Sequence, residues 1–197
     1  MEANAILEGH FTQENTLLGK RKEIRGNKNA CKKCKVGGVY DLLGEIELPS
    51  TDHRVFSLLK ECKEENIILS TWAEDILNQS AFLESHKLLK LSVVRTTPRR
   101  MGLSGYHKRD PIYERARTLG LSLCPQETAI RVVNQIPEKL NEGATYVGMN
   151  SMQDSSGSKA ILMIEPNDDF IGIGAEYTLP FIEHSPDSQW LFCLNRE

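Results

Sequence analysis

The segment at residues 110–137 most constrains the fold, because it predicts two short helices joined by a turn. Asp110 followed by Pro111 is typical of an N-cap and a first helical residue, where the missing N–H costs nothing. Gly120 occupies the position of a left-handed residue that ends a helix. A second helix is predicted from Pro125 to Pro137, with apolar residues at helical spacing. The sequence before this segment is basic and contains a cysteine pair, whereas the sequence after it is acidic and strand-like.

A pattern in this segment supports an independent C-terminal unit. Residues 116–127 read Ala-x-x-Leu-Gly-Leu-x-Leu-Cys-Pro-x-Glu, and an Asp-Ser-x-Gly turn follows at residues 154–157 within a strand-rich tail. Together these features resemble a domain of uncharacterised bacterial proteins, over residues 103–194. No activity is assigned to that family, so the resemblance implies a C-terminal domain and brings no catalytic residues with it.

The remaining patterns predict an α+β protein. Two amphipathic helices are expected in the N-terminal half, one capped near Ser50 and one capped by Ser70 or Thr71. Strands are expected at residues 86–97, 144–150, 158–165, 170–177 and 189–194. The predicted organisation is a mainly helical N-terminal unit with a Cys-x-x-Cys loop at residues 1–85 and a C-terminal domain at residues 86–197. In that second domain the helical pair packs on an antiparallel β-meander.

Two glycines alternate with apolar residues in the strand predicted at residues 170–177. Gly172 and Gly174 lie on one face, because successive side chains of a strand point to opposite faces. A surface without side chains lets another group approach a sheet closely. We expect the helical pair to occupy it.

Charge is strongly segregated in a chain whose net charge is −3. Residues 20–35 hold eight basic residues and one acidic residue, and residues 86–117 hold nine basic and two acidic residues. Two interpretations stay open: oppositely charged segments pair within the fold, or the basic blocks contact an anionic partner. The predicted contact residues are Lys20, Arg21, Lys22, Arg25, Lys32, Lys33, Arg99 and Arg100.

Cys31 and Cys34 form half of a zinc knuckle, since two residues separate them and a pair of glycines follows. A structural zinc site needs four ligands, and the sequence has no second Cys-x-x-Cys. Cys62 and His53 are the predicted further ligands, with His10 or a second chain as alternatives. Zinc is therefore the one predicted cofactor. Redox chemistry and an ordinary pair of reduced cysteines are the other interpretations.

The sequence lacks a complete catalytic or nucleotide-binding motif. We therefore expect a non-catalytic binding or regulatory protein that acts through protein or polyanion contacts. A nucleic-acid-binding module is the first alternative, because residues 116–122 are similar to the turn of a helix-turn-helix. Arg109, Arg115 and Arg117 would then contact phosphates. A cysteine-dependent enzyme is the second alternative, with Cys124 before the predicted second helix as its nucleophile.

Composition sets the expected location and partners. No apolar run approaches the roughly 18 residues of a membrane span, and the N-terminus lacks the pattern of a signal peptide. The five cysteines are an odd number and do not form a disulfide framework. The sequence predicts a cytoplasmic protein with a protein partner, nucleic acid as the alternative partner, and no membrane contact.

Overall fold

The computed structural model describes residues 38–48, 55–79, 89–140, 143–167 and 170–194. They lie within one compact unit, Lys35–Glu197. Its elements are β1 (Asp41–Leu48), α1 (Val55–Glu64), β2 (Ile68–Leu69), α2 (Thr71–Gln79), β3 (Leu89–Thr96), α3 (Arg109–Thr118), β4 (Leu121–Ser122), α4 (Thr128–Gln135), a 3-10 helix (Pro137–Lys139), β5 (Thr145–Val147), β6 (Met152–Gln153), β7 (Lys159–Pro166), β8 (Ile171–Tyr177) and β9 (Gln189–Leu194).

One mixed sheet contains all nine strands of the described residues. Its order is β1-β3-β9-β5-β7-β8-β2, while β4 pairs with β9 and β6 pairs with β7. Two neighbouring pairs are parallel, β5 with β9 and β2 with β8, and the other pairs are antiparallel. The last strand, β9, therefore lies inside the sheet between β3 and β5.

The predicted fold class is wrong. In place of a mainly helical N-terminal unit beside an antiparallel meander, the described residues form a nine-stranded mixed sheet with four α-helices. The physical reason is long-range pairing: β1 pairs with β3, and β3 pairs with β9. Local periodicity does not report pairing across so many residues. The predicted boundary between residues 85 and 86 lies outside the described residues and stays a prediction.

Strand register assigns side chains to the two faces of the sheet. Tyr146 lies opposite both Trp190 and Met163, so these three side chains share a face, which we call the Trp190 face. α3 packs on this face, where the ring of Tyr113 meets Trp190 edge-on at 5.8 Å. α2 packs on the opposite face, where Trp72 lies 5.5 Å from the ring of Tyr177. The helices thus cover both faces of the sheet.

The helix boundaries confirm some predicted signals and correct others. Ser70 caps α2 as predicted, because its Oγ accepts a hydrogen bond from the N–H of Ala73 at 3.2 Å. α3 begins at Arg109, so Asp110 lies in the first helical turn and is not the N-cap. α4 begins three residues after Pro125.

No helix of the described ranges is long and apolar enough to cross a membrane.

Gly120 ends α3 with a φ of +76°, as predicted. A Cβ added there would have no heavy atom within 4 Å, so a substitution tests backbone conformation alone. We expect Gly120→Val to lower the free energy of unfolding by about 1 kcal/mol or more, because β-branched residues are strained at positive φ. Gly120→Asn should retain most of the stability, since asparagine tolerates this conformation. Urea denaturation measures both, and equal stability of wild type and the valine variant would contradict this role.

Candidate functional site

The predicted zinc ligands divide into those the structure describes and those it does not. Cys31, Cys34 and His53 lie outside the described residues. Cys62 is 1% exposed in α1, and burial raises its pKa to about 11. A neutral thiol in the core is a poor metal ligand. In the described part of the chain, no group of three His, Cys, Asp or Glu residues is arranged to hold a metal ion. Zinc binding stays a prediction.

Arg99 and Arg100 are paired with acidic residues of the chain itself. Arg99 makes a two-pronged contact with Asp187, at 2.7 and 2.8 Å. Arg100 contacts both carboxylate oxygens of Asp41. At these two positions the second basic block therefore neutralises acids within the fold. The other predicted contact residues lie outside the described ranges: Lys20, Arg21, Lys22, Arg25, Lys32 and Lys33.

The structure does not favour the two alternative functions assigned to residues 110–137, a helix-turn-helix that binds nucleic acid and an enzyme that uses Cys124. β4 follows α3 directly and pairs with β9, so α3 and α4 do not form a helix-turn-helix. Cys124 is 5% exposed, and its Sγ lies 3.5 Å from the Sγ of Cys193. The hydrogen bond with Cys193 and burial raise the pKa of Cys124 well above its usual range. A nucleophilic cysteine needs the opposite shift.

A different group of side chains forms a partly buried polar cluster on the Trp190 face. We call it the Arg109 cluster; it consists of Arg109, Tyr146, Glu165, Glu176 and His184. Its members come from α3, β5, β7, β8 and the loop after β8. Strand register places three of them on one face, because Tyr146 pairs with Met163 and Met163 pairs with Gly174. Glu165 and Glu176 lie on opposite sides of the Met163–Gly174 pair, and the carboxyl group of Glu165 extends back over Gly174 towards Glu176.

A backbone bridge between two loops brings the remaining members to the sheet. His107 and His184 exchange backbone hydrogen bonds of 3.1 and 2.8 Å. The bridge holds the start of α3, and with it Arg109, beside the loop that carries His184. The His184 ring then lies edge-on to Tyr146 at 4.9 Å and to Trp190 at 4.8 Å. The imidazole is 5% exposed, so its position is fixed by the two aromatic rings.

Gly174 makes room for the carboxyl group of Glu165. A Cβ at Gly174 would lie 2.7 Å from Glu165 Oε2, so a side chain there would force the end of Glu165 to move. At Gly174 the expectation that the helical pair occupies the glycine surface is therefore wrong, because the carboxyl group of Glu165 from the neighbouring strand lies there. The glycine alternation did mark the site, although it did not reveal which group fills it.

Burial shifts the acidic and basic members in opposite directions. It raises the pKa of Glu176 to about 7, although a hydrogen bond from Tyr146 and the positive charge of Arg109 oppose this shift. It also raises the pKa of Glu165. Burial and the nearby Arg109 lower the pKa of His184 to about 4. His184 Nε2 and Glu176 Oε2 are 3.7 Å apart, but they do not form an ion pair, because His184 is neutral at any pH that ionises Glu176.

Arg109 is the member whose hydrogen bonds are missing. Its Nε and Nη1 atoms are buried and have no hydrogen-bond partner among the residues that the structure describes. Its nearest carboxylate oxygen is that of the exposed Asp110, at 3.6 Å from Nε. Its guanidinium carbon lies 5.6 Å from the centre of the Tyr113 ring. By contrast, Arg115 on the same helix donates to the carbonyl oxygen of Met101 at 2.6 Å.

A separate depression of about 470 Å³ lies beside α3. Its described lining residues are all from that helix: Asp110, Pro111, Tyr113, Glu114 and Arg117. It includes none of the five residues of the Arg109 cluster, and Arg117 there is already paired with Glu114 at 3.3 Å. The unpaired donors of Arg109 therefore do not line this depression.

Comparison with protein-family models, with curated proteins and with solved structures finds no match for the chain. The candidate site therefore rests on its geometry and electrostatics alone.

Sequence reasoning named one member of the cluster, Arg109, but for phosphate contacts in a helix-turn-helix. It missed Tyr146, Glu165, Glu176 and His184, which have no motif spacing. Their common signal is contained in the register of β5, β7 and β8, which becomes known only from the structure. Glu165 and Glu176 are acidic residues within strands, and such residues are seldom buried without a partner.

The opposite pKa shifts predict opposing effects of pH on stability. A raised folded-state pKa means that Glu176 contributes stability below its ordinary pKa of 4.5 that is lost as pH rises through about 7. The folded-state pKa of His184 is lowered. His184 therefore contributes stability above its ordinary pKa of 6.5, and this stability is lost as pH falls through about 4. Between these ordinary values the two slopes offset each other.

Replacing Glu176 should reveal the dependence of stability on pH that comes from His184. We expect Glu176→Gln to match wild type near pH 4 and to become more stable as pH rises to about 7, by about 1–2 kcal/mol after allowance for solvent screening. Glu183→Gln, an exposed carboxyl in the next loop, is the matched control and should track wild type. Thermal unfolding as a function of pH measures all three. A constant difference between Glu176→Gln and wild type across this range would show that Glu176 is not perturbed.

Proposed function

We propose that the protein binds a small organic anion at the Arg109 cluster. The observation that carries the proposal is the pair of buried Arg109 N–H groups without a partner in the described part of the chain. Leaving donors of a charged group unpaired away from water costs free energy. A carboxylate or phosphate matches the planar fork of a guanidinium and would satisfy both donors.

Solvent access to the cluster supports this function. The side chain of Arg109 is 25% exposed and that of Glu176 is 23% exposed, so part of each lies at the surface, while the Nε and Nη1 atoms of Arg109 become accessible to a ligand only if neighbouring side chains move. Arg109 is also the first residue of α3, and the N-cap Lys108 supplies no side-chain hydrogen bond to the helix N-terminus. Free N–H groups and the helix dipole favour an anion at this position.

Hydrogen bonds hold aromatic residues around the cluster in place. Trp190 is fully buried, and its Nε1 donates to Ser188 Oγ at 3.0 Å. Tyr113 Oη donates to the carbonyl oxygen of Met149 at 3.0 Å. These contacts fix the aromatic surfaces next to Arg109, so a ligand would lose little affinity to ordering them.

Glu176 supports a second candidate function, proton transfer to or from the bound anion. A general acid or base works best when its pKa lies near the working pH, and that of Glu176 is about 7. The hydrogen bond from Tyr146 and the adjacent ring of His184 hold its position. Binding comes first in either case, because Arg109 would orient the ligand.

The sequence predicted a binding protein without naming a binding site. The proposed anion site gives that prediction one location, on the Trp190 face of the sheet. Other expectations stay predictions, since they depend on residues outside the described ranges or on the cell: contacts of the basic segment with a protein or nucleic acid, zinc at the cysteine pair, and a cytoplasmic location. The anion site is independent of them and can be tested alone.

The test compares Arg109→Gln with Arg117→Gln, which removes the same charge from an exposed position of the same helix. Monocarboxylates, dicarboxylates and phosphate monoesters are screened by thermal shift, and calorimetry then gives Kd for those that bind. We expect Arg109→Gln to weaken binding by at least about tenfold and Arg117→Gln to leave it unchanged. Without ligand, Arg109→Gln should be at least as stable as wild type, because the unpaired buried donors are gone. Equal affinity of both variants would refute the Arg109 site.

A further inference from the structure

We propose that the ligand is a zwitterion of the α-amino-acid class, whose carboxylate binds Arg109 and whose ammonium group binds Glu176 and Glu165. This inference rests on the anion site proposed above and names the class of ligand that fits the whole cluster. It comes from the two carboxyl groups of the cluster, which form no ion pair with a lysine or arginine of the described ranges.

The carboxyl group of Glu165 lies over the backbone of the sheet. It occupies the space above Gly174, 2.7 Å from the position of a Cβ. Among the described ranges, no lysine or arginine forms an ion pair with Glu165. Burial without such a partner makes ionisation unfavourable, and the raised pKa of Glu165 agrees with this.

Glu176 forms no ion pair with a lysine or arginine of the described ranges either, although the positive charge of Arg109 acts on it. Its contacts are the Tyr146 hydroxyl, which donates a hydrogen bond, and the His184 ring, which is neutral near pH 7. The carboxyl stays 23% exposed, so a group from solvent can reach it. Both carboxyls are thus placed to receive a donor that carries positive charge.

The groups that face Glu176 come from every element around it. They are Arg109 of α3, Tyr146 of β5, Glu165 and Lys159 of β7, and His184 of the following loop. Lys159 shares the face because it lies two residues from Ile161, which pairs with Glu176, but its side chain is in solvent.

The balance of charge decides between an anion and a zwitterion. A simple anion would satisfy Arg109 but would place a negative charge beside two carboxyl groups and repel their ionised forms. An ammonium group on the same ligand removes that repulsion and pairs with the carboxyls. An α-amino acid carries both groups on one carbon atom, so it presents them together.

The direction of proton exchange on binding distinguishes an amino acid from a simple carboxylic acid. An ammonium group favours the ionised form of Glu176, so binding of an amino acid near pH 7 should release protons. A carboxylic acid without the amino group favours the neutral form, so its binding should take protons up. Calorimetry in buffers of different ionisation enthalpy measures the number and direction of the protons.

The experiment uses matched pairs of probes on the full chain: L-alanine with propionate, L-leucine with 4-methylpentanoate, L-glutamate with glutarate, and L-phenylalanine with 3-phenylpropionate. We expect at least one amino acid to bind wild type roughly tenfold or more tightly than its partner, with proton release. Glu176→Gln should lose this preference, and Glu183→Gln should keep it. Arg109→Gln should weaken binding of both members of a pair.

Each result decides for or against the zwitterion. Carboxylates that bind as tightly as the amino acids, through Arg109, overturn the inference and leave the anion site standing. The same preference in Glu176→Gln and wild type also overturns it. If only the phosphate monoesters of the preceding screen bind, the inference is wrong and the anion site stands. If neither these probes nor the phosphate monoesters bind, both proposals fall. Melting curves of each variant confirm that it is folded.

Discussion

The pairing of β9 with β3 on one side and β5 on the other is the interaction on which the rest of the structure depends. It joins the strands of the N-terminal half to those of the C-terminal half. It also places Trp190 under α3 and beside Tyr146 and His184, so one strand supports both the core and the candidate site. Gly148 permits the close approach, because a Cβ there would lie 2.8 Å from the carbonyl oxygen of Leu191.

Asp154 is satisfied more fully than the groups of the Arg109 cluster, although Thr128 Oγ1 and Arg131 Nε are, like two nitrogens of Arg109, buried without a hydrogen-bond partner among the described residues. Asp154 accepts hydrogen bonds from the N–H groups of Ser156 and Ser158 at 2.9 and 2.8 Å and from the hydroxyl of Tyr177 at 2.9 Å. Its carboxylate stabilises a turn. The cluster instead combines an incompletely bonded guanidinium with two carboxyls that burial disfavours. Local conflicts of this kind concentrate at functional sites, where stability is lost for the sake of binding.

Local sequence signals predicted the elements better than their arrangement. The strand at residues 189–194 and the left-handed Gly120 were confirmed, since alternation and helix-ending glycine are properties of a few neighbouring residues. The place of β9 inside the sheet depends on hydrogen bonds to strands about 40 and 100 residues away, which no local pattern contains. The same limit hid the cluster: Arg109 and His184 meet only because the His107–His184 bridge closes a long loop. Gly174 gave the only local signal, a space on the sheet, and the prediction assigned that space to the wrong occupant.

Burial is the largest cause of the pKa shifts in the cluster, and it acts on an acidic group, Glu176, and on a basic group, His184. Burial favours the neutral form of both Glu176 and His184, so near pH 6 neither carries a full charge, and Arg109 is the fixed charge of the site. The positive charge of Arg109 suits a carboxylate. As pH rises through about 7, Glu176 ionises and adds a negative charge on the other side. Arg109 and ionised Glu176 then give the site two opposite charges, and such a site matches the zwitterion proposed above better than it matches an anion.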